Sequence, residues 1–157
     1  MDNKFVKLHS LLRMLGALLA IVIFISMFIA KQAVNSDFDF NFTFRNGAFF
    51  GDGAIKGNVL AFIGYLLVFI GGLAGLAFVF IDEILGKDLT KKLSFLVGVL
   101  AVLGAIAILT FSPVFRGINH FSLKYCHTGA APIVFGVLGL AVGAIQISAP
   151  ILEDKGK

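Results

Sequence analysis

The densest group of chemically capable side chains lies between positions 116 and 127: Arg116, Asn119, His120, Lys124, Tyr125, Cys126 and His127. Cys and His are zinc donors, and a thiol beside an imidazole is the raw material of a nucleophilic site. The spacing argues against both. His120, Cys126 and His127 match no standard zinc pattern. If the chain is extended there, adjacent Cys126 and His127 point to opposite faces. Cys126 is the only cysteine, which rules out an intramolecular disulfide, a thiol relay and a multi-Cys metal site. These residues are therefore expected to be ordinary loop residues, with no metal and no cofactor.

Catalysis needs polar groups converging in a shaped pocket. Past Arg13, the apolar stretches of the chain offer only Ser26, Tyr65, Ser94, Thr110, Gln146 and Ser148, with no Asp, Glu, Lys or His deep inside them. Ion-coupled pumps and proton relays use such buried ionisable residues. Gly-rich phosphate loops are absent as well. The reading is a non-enzymatic protein. Arg13 lies near the start of the first stretch, where it is expected to reach lipid headgroups.

The elements that would position any site dominate the composition. The chain has 157 residues, 59% of them hydrophobic, with a mean hydropathy of +0.99. Four long apolar stretches run from about 8 to 30, 59 to 81, 93 to 111 and 130 to 149. Each is long enough for a helix to cross roughly 30 Å of hydrocarbon. Continuous apolarity excludes a barrel, whose strands alternate. The predicted fold class is an all-α membrane protein, a single domain built as a four-transmembrane-helix bundle. A formal net charge of +4 raises nucleic acid as a partner. The basic residues sit at helix ends, where anionic lipid and the positive-inside rule explain them, so no nucleic-acid partner is expected.

Lys and Arg set the expected orientation. Eight (Lys4, Lys7, Arg13, Lys87, Lys91, Lys92, Lys155 and Lys157) fall on one side, and five (Lys31, Arg45, Lys56, Arg116 and Lys124) on the other. This bias places both termini in the cytoplasm, with loops 31–58 and 112–129 outside. The location expected is the cell (plasma or cytoplasmic) membrane. Abundant Phe and Lys without Trp lean the reading toward a bacterium. The first helix is read as uncleaved, because its run is longer than a signal-peptide core.

Asp37 to Arg45 alternates strictly, with Phe38, Phe40, Phe42 and Phe44 on one face and polar residues on the other, the pattern of a half-buried strand. Asn46-Gly47 follows, the signal for a type I′ hairpin turn, with Ala48-Phe49-Phe50 as a short return arm and Phe44 opposite Phe49. Residues 121–126 alternate too. The expectation is a small extracytoplasmic β-hairpin or sheet from loops 1 and 3, capping the bundle. Its Phe face is covered within the chain or binds a partner. Asn41-Phe42-Thr43 is also a glycosylation sequon, relevant only in a eukaryotic secretory membrane.

Gly71/Gly75 and Gly139/Gly143 have the GxxxG spacing that lets helix backbones approach closely. The layout resembles that of claudin-like tetraspan membrane proteins in architecture alone. The paired-Cys and Trp motif of that family's first outer loop has no counterpart here. Two functions follow as expectations. One is an accessory or assembly subunit, embedded in the bilayer and binding another membrane protein or itself through the outer aromatic strand (Phe38, Phe40, Phe42, Phe44, Phe49) and the Gly-lined helices. The alternative is an oligomeric small channel, pore or holin-like permeability factor. A membrane-embedded enzyme comes last.

Overall fold

The computed structural model describes residues 3–36, 40–122 and 126–155, without the side chains of 3–7, 82–83 and 154–155. Four long helices, α1 (Asn3–Ile29), α2 (Val59–Leu85), α3 (Lys87–Leu109) and α5 (Ala130–Lys155), carry the apolar stretches, and a short α4 (Phe111–Asn119) precedes the last. The four long helices are long and apolar enough to cross a membrane. They form a ring in which α1 packs on α2 and α5, and α3 packs on α2 and α5. Large apolar side chains such as Leu18, Val22, Ile70, Leu103 and Val137 are exposed around its outside. That is far more exposed apolar surface than water tolerates.

Residues without bulk set the close approaches. A Cβ on Gly64 would stand 2.6 Å from the Gly104 carbonyl oxygen, and one on Gly104 would stand 2.6 Å from that of Gly64. Backbone meets backbone there, and only glycine fits. The connection between α2 and α3 is Gly86 alone, with φ +80, a left-handed conformation that favours glycine. Helices thus continue through most of the charged segment 82–92 that reads as a turn in the sequence.

One end of the bundle carries a three-stranded antiparallel sheet of order β2-β1-β3, from β1 (Ala33–Asn35), β2 (Phe40–Phe42) and β3 (Cys126–Thr128). Both long loops contribute, as expected, and β2 falls within the alternating stretch 37–45. The register pairs Ala33 with Phe42 and Thr128, and Asn35 with Phe40 and Cys126.

The hairpin itself differs from expectation. Phe40–Phe42 pairs back onto the preceding Ala33–Asn35, and not onto 48–50. Residues 43–51 run in successive turns, with the Asn46 and Ala48 N–H groups donating to the Thr43 carbonyl and Gly51 N–H to Gly47 O. A type I′ turn needs positive φ at both central residues. Gly47 has φ +77, while Asn46 does not have a positive φ. Burial drives the difference: Phe49 turns inward onto Phe62, Tyr65 and Phe111 instead of extending as a return strand.

The third loop is also corrected in part. The alternation predicts a strand over 121–126, but residues 121–122 lie outside any strand, 123–125 lie outside the described residues, and β3 begins at Cys126; α4 precedes it. Pro113 sits in the first turn of α4, where its missing N–H costs nothing. Phe111 and Phe115, one turn apart, bury one stripe of α4. His120 ends it with φ 56. Phe44-Arg45-Asn46-Gly47 and Phe115-Arg116-Gly117 look alike in sequence but differ in structure, the first lying in turns and the second in a helix.

Candidate functional site

The cap is bound to the bundle through Gln32, a buried residue whose sequence context in a polar loop gives no hint of its role. Its backbone N–H donates to Phe42 O at 2.8 Å, its own carbonyl accepts from Gly129 N–H at 3.0 Å, and its Oε1 accepts from the Tyr65 hydroxyl of α2 at 3.1 Å. One residue thereby joins both edge regions of the sheet to the helices. Asn58 does the same work at the start of α2. Its Oδ1 accepts the Ala61 N–H, an N-cap bond, and its Nδ2 donates to Phe111 O. Asn119 of α4 clasps the first loop, accepting from Lys56 N–H at 2.7 Å and donating to Lys56 O at 2.8 Å.

The expected Phe row divides. Phe42 is buried against Phe115 and Phe121, with ring centroids at 4.9 and 6.0 Å. The third loop and α4 therefore cover it within the chain. Phe44 lies beyond β2 in the turns, half-buried against Phe28, Phe49 and Phe50. Phe49 is fully buried. Phe44 and Phe49 touch at 5.9 Å, as turn neighbours rather than a cross-strand pair. Phe38 lies outside the described residues. Only Phe40, 40% exposed, keeps a largely open ring. With Asn35, Phe42, Ile55 and Phe121 it lines a cavity of about 360 Å³ on the cap. The size is that of a small-ligand pocket or of a partner's anchoring side chain.

The four glycines singled out in the sequence all face neighbouring helices of the same chain. A Cβ on Gly71 would meet Ala101 of α3, one on Gly139 would meet Ala105 and Val68, and one on Gly143 would meet Val102 and the Gly98 carbonyl. A Cβ on Gly75 would collide with the Gln146 side-chain amide. These faces are occupied and are not offered to another protein.

The loop Cys and His do not converge. Cys126 is buried and His127 exposed, on opposite faces of β3, and His120 is exposed at the end of α4. No group of three His, Cys, Asp or Glu capable of holding a metal occurs among the described residues. Burial pushes the Cys126 thiol up, partly opposed by the Arg116 guanidinium, whose Nη1 donates to the Cys126 carbonyl at 3.3 Å. The group stays a thiol near neutral pH, the opposite of an activated nucleophile.

Arg13 and Gln146 lie inside the bundle at the end away from the cap. Arg13 is only 2% exposed and stands over the Phe78 ring at 5.7 Å, a cation–π contact. The expectation that it reaches headgroups is thereby corrected: its position on α1 faces α2, not the outside. Gln146 is fully buried between Gly16 and Gly75, its amide atoms unpartnered among the described residues. Between this level and Tyr65 the interior is filled by Ala20, Ile23, Val68, Ala101, Ala105 and Val142, all buried. The polar residues at the two ends are not connected through the bundle.

Comparison with protein families, curated proteins and solved structures finds no match.

Proposed function

We propose that this chain is a non-enzymatic, multi-pass protein of the cell membrane, an accessory or assembly subunit that docks another membrane protein through its cap. Both termini are cytoplasmic in this reading and the cap is outside, on the Lys/Arg distribution. The observation that carries it is the open cavity beside Phe40. Phe42 and Phe49 are used internally and Phe50 is exposed elsewhere on the cap, whereas Phe40 and its neighbours leave an apolar recess at the surface. Apolar recesses rimmed by polar groups are where partner side chains anchor.

The glycine faces drop out of the interaction surface, because they pack within the chain. The pore reading has no feature that favours it: a polar path would have to form between copies, since the interior of one copy is apolar at mid-height. The test is extraction in gentle detergent followed by mass determination of the intact complex. A defined heavier companion supports the subunit reading. A lone chain defeats it, and a homo-oligomer that conducts ions in bilayers replaces it with the pore.

A further inference from the structure

At the end of the bundle opposite the cap, α3 and α5 form a second recess. Their backbones touch at Gly98 and Gly143, where a Cβ on either would stand about 3 Å from the other's carbonyl oxygen. Beyond that crossing the facing side chains are bulky, and the surface between the helices is indented. Phe95, Ile147, Pro150 and Ile151 line a groove of about 220 Å³, and Lys91 stands with them. Phe95 and Ile151 are each more than half exposed.

The order of residue types along the groove matters. On α3, Lys87, Lys91 and Phe95 follow one another at four-residue spacing, so they share a face. Two ammonium groups are followed by an aromatic ring, proceeding from the helix end toward the middle. Lys92 adds a third, exposed charge; among the described side chains at this end Asp88 is an exposed opposing charge and Glu153 of α5 a buried one. On α5, Ile147 and Ile151 continue the apolar wall. Charge at the end and hydrocarbon below is the arrangement of a phospholipid: phosphate, then acyl chain. Basic recesses between membrane helices hold anionic headgroups for this reason.

We propose that this groove is a binding site for one anionic phospholipid of the bilayer, its phosphate on Lys87 and Lys91 and an acyl chain against Phe95, Ile147 and Ile151. The proposal rests on the reading of the chain as a membrane protein. The helix crossing creates the recess, and the lysine ladder selects negative charge over zwitterionic headgroups.

The test uses the full chain purified in neutral detergent and titrated with phosphatidylglycerol, phosphatidylcholine or free glycerol 3-phosphate, read by thermal unfolding and native mass spectrometry. Phosphatidylglycerol should raise the unfolding midpoint and give a one-lipid adduct, with phosphatidylcholine much weaker and glycerol phosphate without effect. Lys87→Gln and Lys91→Gln should each weaken the response roughly fivefold. Ile151→Trp should fill the groove and abolish the adduct, while Lys31→Gln at the cap end changes nothing. Equal response to both lipids overturns the site, as does protection by glycerol phosphate alone or an equal loss in Lys31→Gln. Alkaline carbonate extraction is measured separately. Release of the chain overturns the membrane reading itself, whereas retention with equal lipid responses overturns only the groove.

Discussion

Ser94 of α3 donates a 2.7 Å hydrogen bond to the backbone carbonyl of Gln146 on α5. That carbonyl would ordinarily accept from the N–H four residues on, but position 150 is Pro and has none. A hydroxyl on one helix thus supplies the donor that its neighbour lacks. Ser94→Ala should destabilise the fold by about 1–3 kcal/mol, the cost of an unsatisfied buried acceptor. Pro150→Ala restores a helical N–H, and in that background Ser94→Ala should cost markedly less. Unfolding in detergent across the four combinations measures the coupling; additivity would mean that the bond carries no weight.

Glycine positions should separate sharply. Gly75→Leu and Gly139→Leu drive a side chain into Gln146 and into Ala105 with Val68, respectively. Both should lower the melting temperature strongly, because the backbones are forced apart. Gly117 lies in α4, and a Cβ placed on it would have nothing within 4 Å. Gly117→Ala should be neutral or stabilising by up to about 1 kcal/mol, since alanine favours helix. Unchanged melting in both Leu variants would contradict the packing.

The four long helices were legible because hydrophobic run length is a strong and local signal. The strand at Phe40–Phe42 was legible for the same reason, from its period of two. Its pairing was not. Asn46-Gly47 is a local hairpin signal, and the burial of Phe49 against Phe62, Tyr65 and Phe111, a tertiary effect, overrode it. Helix α4 was hidden by Pro113 and Gly117, residues whose meaning depends on where a helix starts. Gln32 and Arg13 carry no periodic signal at all; what they touch is decided by helices distant in sequence. The Phe row falls on the cap, and among its described members only Phe40 keeps an exposed ring.

Cys126 bears on orientation, though not as a direct label. Burial of the thiol and its raised pKa predict slow maleimide reaction in the folded protein and fast reaction once unfolded. A thiolate fraction held low at neutral pH should make labelling of the folded chain rise as pH increases. His127 is exposed on the opposite face of the same strand. His127→Cys in a Cys126→Ala background should react with a membrane-impermeant maleimide in intact cells. Reaction only after permeabilisation would place the cap in the cytoplasm.

Phe42 and Phe40 should behave differently although their rings are 5.2 Å apart. Phe42→Ser removes a buried ring and should cost about 3–5 kcal/mol, with low expression. Phe40→Ser, at a partly exposed ring, should leave expression and melting near those of the parent chain. Equal damage from both, read by thermal unfolding, would mean that Phe40 is as much a core residue as Phe42.

In the proposed function the recess beside Phe40 receives another membrane protein. A photo-crosslinking residue placed at position 40 in native membranes tests it most directly, with the same residue at position 103, where Leu103 is exposed on the outside of the bundle, as control. A discrete, heavier protein adduct from position 40, absent from position 103, is the expected result. An adduct-free chain at position 40, or the same products from both positions, would contradict it.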